Sequence, residues 1–157
     1  MDQVDKKTCY QEVLEELEHL LSVEGKYQLD DIGKMATIST VLKMNLPHFL
    51  FVGFYRATGD GVLQIGPYQG DVLACGTIPY GTGVCGVCAS QLRTIVVPDV
   101  YKFPGYIACD DHTRSEIVVP VIRDGRLLAV LDVDSTELDD FDEVDQEYLE
   151  LLVGAHF

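Results

Sequence analysis

Four of the chain's five cysteines, Cys75, Cys85, Cys88 and Cys109, fall within 35 residues. An odd total suits a structural disulfide framework poorly, and such clustering points to redox or metal chemistry. Cys85 and Cys88 form a C-x-x-C at the start of a predicted short helix, "GVCGVCASQLR". A helix N-terminus favours a thiolate, which makes Cys85 the most readily activated thiol on physical grounds. Cys109 has the opposite surroundings. In "GYIACDDHTRSEIVVP" Asp110 and Asp111 follow it directly, and Glu116 comes seven residues on. Carboxylates disfavour a thiolate, so Cys109 is either an inert cysteine or part of a reaction that wants acid groups nearby.

More acid groups follow. In "LDVDS" Asp132 and Asp134 stand two apart, so on a strand they share one face while Leu131, Val133 and Ser135 take the other. Glu116 heads the run "SEIVVPVI", and the turn "RDGR" folds that run back on "LLAVLDVDS", bringing residue 116 roughly opposite residues 132–134. Three carboxyls then converge on one pocket, where like charges raise one another's pKa and leave a proton donor near neutral pH. The plainer alternative is a solvent-exposed strand end carrying solvated acids.

Two further motifs compete for the same region. "GTGVCG", residues 81–86, fits the dinucleotide pattern G-x-G-x-x-G with Asp99 beyond it, but the helix is short for a crossover and the second half of such a fold is missing. Its other reading is a tight turn into a helix. A zinc site could combine the C-x-x-C with Cys75, Cys109 or His112, but no second C-x-x-C is present. Cys88, one turn beyond Cys85, has the pattern of a core residue.

The elements that must hold these groups are legible. Tyr10, Val13, Leu14, Leu17, Leu20 and Leu21 form one helical stripe, and "LDDIGKMATISTVLKMNLP" is a second helix ended by Pro47. A hairpin, "FLFVGFYRA" and "VLQIGPY" around "TGDG", comes next. It is followed by a predicted strand "DVLACGTIP", the short helix, an extended "TIVVPDV", a loop over residues 101–114, and the second hairpin. A helix beginning near Asp142 closes the chain. Two helices before and one after a run of hairpins imply an α+β fold with an antiparallel sheet, and 157 residues suit one domain.

The composition narrows the partners. Net charge is −15 with no cluster of Lys or Arg, which argues against nucleic acid and anionic membranes and favours a cationic or zwitterionic ligand. No run is long enough to span a membrane, and the charged N-terminus lacks a signal-peptide core, so a cytoplasmic setting with reduced thiols is expected.

Taken together, "VGFY", "IGPYQG", "ACGTIPYGTGVCG", "PDVYKFPGYIACD", "SEIVVPVI" and "GRLLAVLDVDS" closely resemble the GAF-domain free methionine-(R)-sulfoxide reductases from about residue 10 onward. The most specific feature is the spacing of Cys75, Cys85 and Cys109. The resemblance implies a GAF-like domain over residues 1–157, reduction of free L-methionine-(R)-sulfoxide through a cysteine sulfenic acid and a disulfide, and recycling by thioredoxin. It implies no cofactor and no metal, and family members are often dimers. It casts Cys109 as the attacking thiol, Cys75 as its main resolving partner and Cys85 as an auxiliary thiol. Glu116, Asp132 and Asp134 match the family's substrate-binding acids. Two positions depart from the family: Phe51 stands where Trp is common, as a wall for the substrate methyl, and Tyr106 stands where His is frequent. Helix-terminus physics and family resemblance thus disagree over Cys85 and Cys109. A different class, a GAF module sensing a small ligand with its cysteines as a redox switch, is the alternative.

Overall fold

The computed structural model describes all of residues 1–157. Two helices open the chain, α1 (Gln3–Leu21) and α2 (Asp31–Asn45). Strands β1 (Phe51–Ala57), β2 (Val62–Gly70) and β3 (Thr77–Pro79) follow, then α3 (Gly83–Gln91), β4 (Ile95–Val97), the hairpin β5 (Ser115–Arg123) and β6 (Arg126–Ser135), and α4 (Glu143–His156). The six strands form one antiparallel sheet in the order β3-β2-β1-β6-β5-β4. The α+β architecture expected from the sequence is the one observed.

Strand alternation divides the interior in two. Val52 and Phe54 of β1, Ile117, Val119 and Val121 of β5, and Ala129, Leu131 and Val133 of β6 face α1, α2 and α4. The opposite face carries Phe51, Tyr55, Val118 and Val130, with Ile95 and Val97 of β4, against α3. The second, smaller layer is where the cysteines gather.

The α1 helix starts earlier than its apolar stripe predicts, because the Asp2 carboxylate accepts hydrogen bonds from Val4 N and Asp5 N at 2.9 Å and caps it. The added turn carries Lys6, which is buried and bonds Asp145 Oδ2 at 2.5 Å and the Asp140 carbonyl at 2.6 Å, while Tyr10 donates to Asp145 Oδ1 at 2.8 Å. This network locks α1 to α4 and is invisible in the hydrophobic pattern.

The predicted strand "DVLACGTIP" is largely a loop, and only Thr77–Pro79 pairs with β2. Ile65 N still donates to the Gly76 carbonyl at 2.9 Å, but the following donor position on that edge is Pro67, which has no N–H to offer. Residues 72–75 are therefore released to arch over the sheet.

"GTGVCG" is the turn reading, not a dinucleotide cradle. The sheet is antiparallel, and Asp99 caps its own turn by accepting from Tyr101 N at 3.1 Å. Gly81 and Gly83 have φ of +80° and +66°, and a Cβ on Gly86 would overlap the Pro79 carbonyl oxygen where α3 leaves β3. Gly86→Ala is expected to destabilise the protein by about 1–3 kcal/mol through overpacking, read as a lower urea midpoint at unchanged slope. An unchanged midpoint would show that the Pro79 turn yields freely.

Candidate active site

The β5–β6 hairpin sets the site. Asp124 and Gly125 both have positive φ, +52° and +73°, as a two-residue hairpin loop matched to strand twist requires. The loop pairs Arg123 with Arg126, and a register shift then follows: Ile122 opposes Leu127, but Val121 opposes Ala129. Leu128 is the extra residue of a bulge. Beyond it Glu116 lies opposite Asp134, and Val118 opposite Asp132. On the other edge of β6, Phe51 of β1 lies opposite Asp134 and Gly53 opposite Asp132. The three acids and Phe51 thus share one sheet face in the middle of the sheet.

The solvated-strand reading is overturned. Glu116, Asp132 and Asp134 are 6%, 5% and 8% exposed. They line a cleft together with Cys85, Cys109, Phe51, Tyr55, Tyr106 and Asp110. No Lys or Arg lines it, and Asp132 Oδ1 and Asp134 Oδ1 have no hydrogen-bond partner. Burial, then the Asp132 and Asp134 charges, holds the Glu116 carboxyl well above its ordinary range. Burial, then Asp132 and Asp110, does the same to Asp134. Burial pushes Asp132 up to about 6 against an opposing pull from Glu116 and Cys85. The cleft is a store of carboxyl protons with two acceptor oxygens that no protein group satisfies.

The thiols separate into different environments. Cys75, in the loop released from β3, and Cys109, in the loop before β5, are joined in a disulfide with Cα atoms 5.3 Å apart. Val72, Leu73 and Ala74 from the first loop and Tyr106, Ile107 and Asp110 from the second also line the cleft, so the disulfide staples two walls of its mouth. Cys109 is solvent-exposed and Cys75 partly so. Cys85 sits near the start of α3, yet it is buried, its Sγ 4.0 Å from Glu116 Oε1. Burial, then the Asp132, Glu116 and Asp134 charges, raises its thiol well above the ordinary value, the reverse of the activation expected from the helix terminus. A half-charge at a helix end cannot outweigh desolvation beside three carboxyls.

Cys88 is fully buried with Sγ 3.7 Å from the Val118 carbonyl, and burial pushes its thiol up to about 12. The zinc set suggested by the C-x-x-C does not assemble, since the Cys75 and Cys109 sulfurs are bonded to each other and His112 is an exposed loop residue. Cys9 packs against the α1–α2–α4 core on the far side of the sheet.

Phe51 and Tyr106 both line the cleft. Phe51 stacks on Tyr68 with centroids 5.2 Å apart and meets Tyr55 at 6.4 Å, forming an apolar wall. Tyr106 is half-buried and rests edge-on against Tyr101 at 6.0 Å.

Sequence reading missed Tyr55 and Asp110. Tyr55 follows Phe51 by four residues on one strand and must share its face, a signal that was available. Its phenol is raised by burial first and then by Asp132. Asp110 accepts from His112 N at 2.6 Å, Thr113 N at 2.8 Å and Thr113 Oγ1 at 2.7 Å. This Asx turn, prefigured by "DDHT", shapes the loop that presents Cys109, whereas Asp111 is exposed.

Comparison with known proteins extends the geometry. The family model described as GAF domain matches residues 4–155. The free methionine-R-sulfoxide reductase of Saccharomyces cerevisiae is 44% identical over 151 residues, covering 90% of this chain and 82% of that protein. That of Escherichia coli is 33% identical over 151 residues, covering 96% and 88%. The X-ray structure of the free methionine-R-sulfoxide reductase from Neisseria meningitidis in complex with its substrate superposes with a TM-score of 0.87 at 42% identity, covering 95% of this chain and 86% of that one.

Proposed function

The chain belongs to the GAF-domain family and, within it, to the free methionine-R-sulfoxide reductases, and from that premise we propose that it reduces free L-methionine-(R)-sulfoxide to L-methionine by thiol chemistry. The observation that carries the reading is the stapled cleft: a disulfide at the mouth over three buried carboxyls, two of them with an unpaired oxygen.

In the reduced protein Cys109 attacks the sulfoxide sulfur. As the S–O bond yields, a carboxyl that has kept its proton transfers it to the leaving oxygen, a general-acid step that a raised pKa serves at neutral pH. With a second proton the oxygen departs as water, leaving Cys109 sulfur bonded to the methionine sulfur as a sulfonium. Water then attacks the Cys109 sulfur, the S–S bond breaks, methionine leaves, and Cys109 is left as a sulfenic acid. The Cys75 thiol then condenses with it, expelling water and forming the disulfide, which an external dithiol such as thioredoxin reduces to two thiols. Cys85 is the auxiliary thiol. The substrate's ammonium group neutralises the acidic cleft, ionising one carboxyl and bonding to it. Phe51 and Tyr106 supply walls for the methylthio end. Residues 1–157 act as one GAF-like domain in the cytoplasm, where dithiol reductants operate. Assembly as a homodimer follows from the family resemblance alone and is read by light scattering. No helix is long and apolar enough to cross a membrane.

A coupled thioredoxin assay tests the reading. Free methionine-(R)-sulfoxide is expected to turn over, with little reaction of the S epimer or of peptide-bound sulfoxide. N-acetylation removes the ammonium, so an N-acetylated substrate reduced at the same rate would overturn the cleft's role in recognition. Binding without turnover would favour a ligand-sensing module.

A further inference from the structure

The cleft holds more ligand atoms than an amino acid's ammonium requires. One atom each from Cys85, Glu116 and Asp132 lie within 4.8 Å of one another. They come from the start of α3, the start of β5 and the end of β6, three elements packed together rather than three mobile loops. All three residues are buried and line the cleft, and Asp132, 5% exposed, has an Oδ1 with no hydrogen-bond partner. No cationic side chain of the protein lines this space. One sulfur and two carboxylate oxygens suit zinc, which accepts both donor types at about 2.0–2.3 Å and keeps a fourth position open in reactive sites. Magnesium and calcium prefer all-oxygen sets.

We propose that the cleft also binds one zinc ion, held by the Cys85 thiolate, Glu116 and Asp132, and that the ion and methionine sulfoxide exclude each other. Bonding distance is reached by rotation of the three side chains, whose ligand atoms lie within 4.8 Å of one another. Binding displaces the thiol proton and any carboxyl proton into solvent. It occupies the acids needed for the ammonium and for oxygen protonation. Zinc thereby acts as a reversible inhibitor that leaves Cys75 and Cys109 untouched. Binding stands on this geometry alone, whereas exclusion rests on the function proposed above.

The test uses zinc chloride and the oxidised protein freed of reductant, in which Cys75 and Cys109 are tied together and cannot serve as ligands. Calorimetry is expected to give one zinc per chain. Cys85→Ser and Asp132→Asn should each weaken binding at least as much as the roughly 10–100-fold that loss of a merely supporting residue costs a metal site. Cys9→Ser and Cys88→Ser should bind as the parent does. Cobalt(II) in place of zinc should show a thiolate charge-transfer band that Cys85→Ser removes. Circular dichroism verifies each fold, and Glu116→Gln serves if Asp132→Asn fails to fold. Absence of saturable binding, or one-to-one binding that survives in both Cys85→Ser and the acid variant, overturns the site. For exclusion, pre-reduced protein freed of reductant releases methionine in a single turnover. Zinc should raise the sulfoxide concentration needed for half-release, and Cys85→Ser should relieve that effect. Release unchanged by bound zinc overturns the exclusion. Zinc binding in a protein that reduces no sulfoxide would leave the metal site standing and remove the enzymatic reading.

Discussion

Cys109→Ser is expected to release no methionine from the (R)-sulfoxide, whereas Cys75→Ser and Cys85→Ser each release one burst equivalent before stopping or slowing. Attack needs a thiol that reaches the substrate sulfur and can ionise. Cys109 stands at the exposed mouth of the cleft. Cys85 is buried beside Glu116, and its thiol is held protonated by burial and by three neighbouring acids. Resolution needs a partner within disulfide reach, Cα atoms about 4.4–6.8 Å apart. Cys75 meets that condition at 5.3 Å. Peptide mapping by mass spectrometry after one turnover without reductant should find Cys75 linked to Cys109 and Cys9 free. A full burst from Cys109→Ser and none from Cys85→Ser would reverse the assignment and restore the helix terminus as the source of activation.

The buried acids should show opposite effects on activity and stability. Replacing Glu116, Asp132 or Asp134 by its amide keeps the shape and removes charge or proton donation. Each change is expected to lower catalytic efficiency about ten- to a hundred-fold, the value of one charge-assisted hydrogen bond. Near-normal kinetics in all three would make the acids bystanders. Stability should move the other way. The folded protein holds these carboxyl protons more tightly than the unfolded chain, whose aspartates ionise near pH 4 (roughly). Raising pH from there through the Asp132 value of about 6 therefore strips stability from the native state. For one group the slope is at most about 1.4 kcal/mol per pH unit. The Glu116 and Asp134 contributions extend the decline to higher pH, since both carboxyls lie well above their ordinary range. Urea denaturation of Asp132→Asn and its parent should differ little below pH 4 and increasingly favour the variant as pH rises through 6. A difference that stays flat across that window would mean the cleft is wetter than its burial implies.

Much of the site was legible because strand geometry is strictly periodic. Two acids two apart on an apolar strand must share a face, and an Asp-Gly turn must fold β5 back on β6. Thus Asp132 and Asp134 belong together on sequence alone, with Glu116 brought near them by the turn. Tyr55 could have been added by the same rule from Phe51. Cysteine reactivity was not legible in this way. Proximity of Cys85 to a helix start is a local property, whereas its burial against three carboxyls depends on which sheet face α3 covers.

The amino-acid order by itself determined the helices, the hairpins, the acidic face of the last strand and the crowding of thiols, all consequences of local periodicity and turn chemistry. Tertiary structure decided the rest. A regular two-residue hairpin between Arg123 and Arg126 would have set Glu116 opposite Val133, on the face buried under the helices. The extra residue Leu128 shifts the register by one, and Glu116 meets Asp134 on the cleft face instead. Because side chains alternate with a period of two, a single inserted residue moves every later side chain to the other side of the sheet. The pairing of Cys75 with Cys109 across 34 residues is likewise non-local, since it needs both loops arched over that same face.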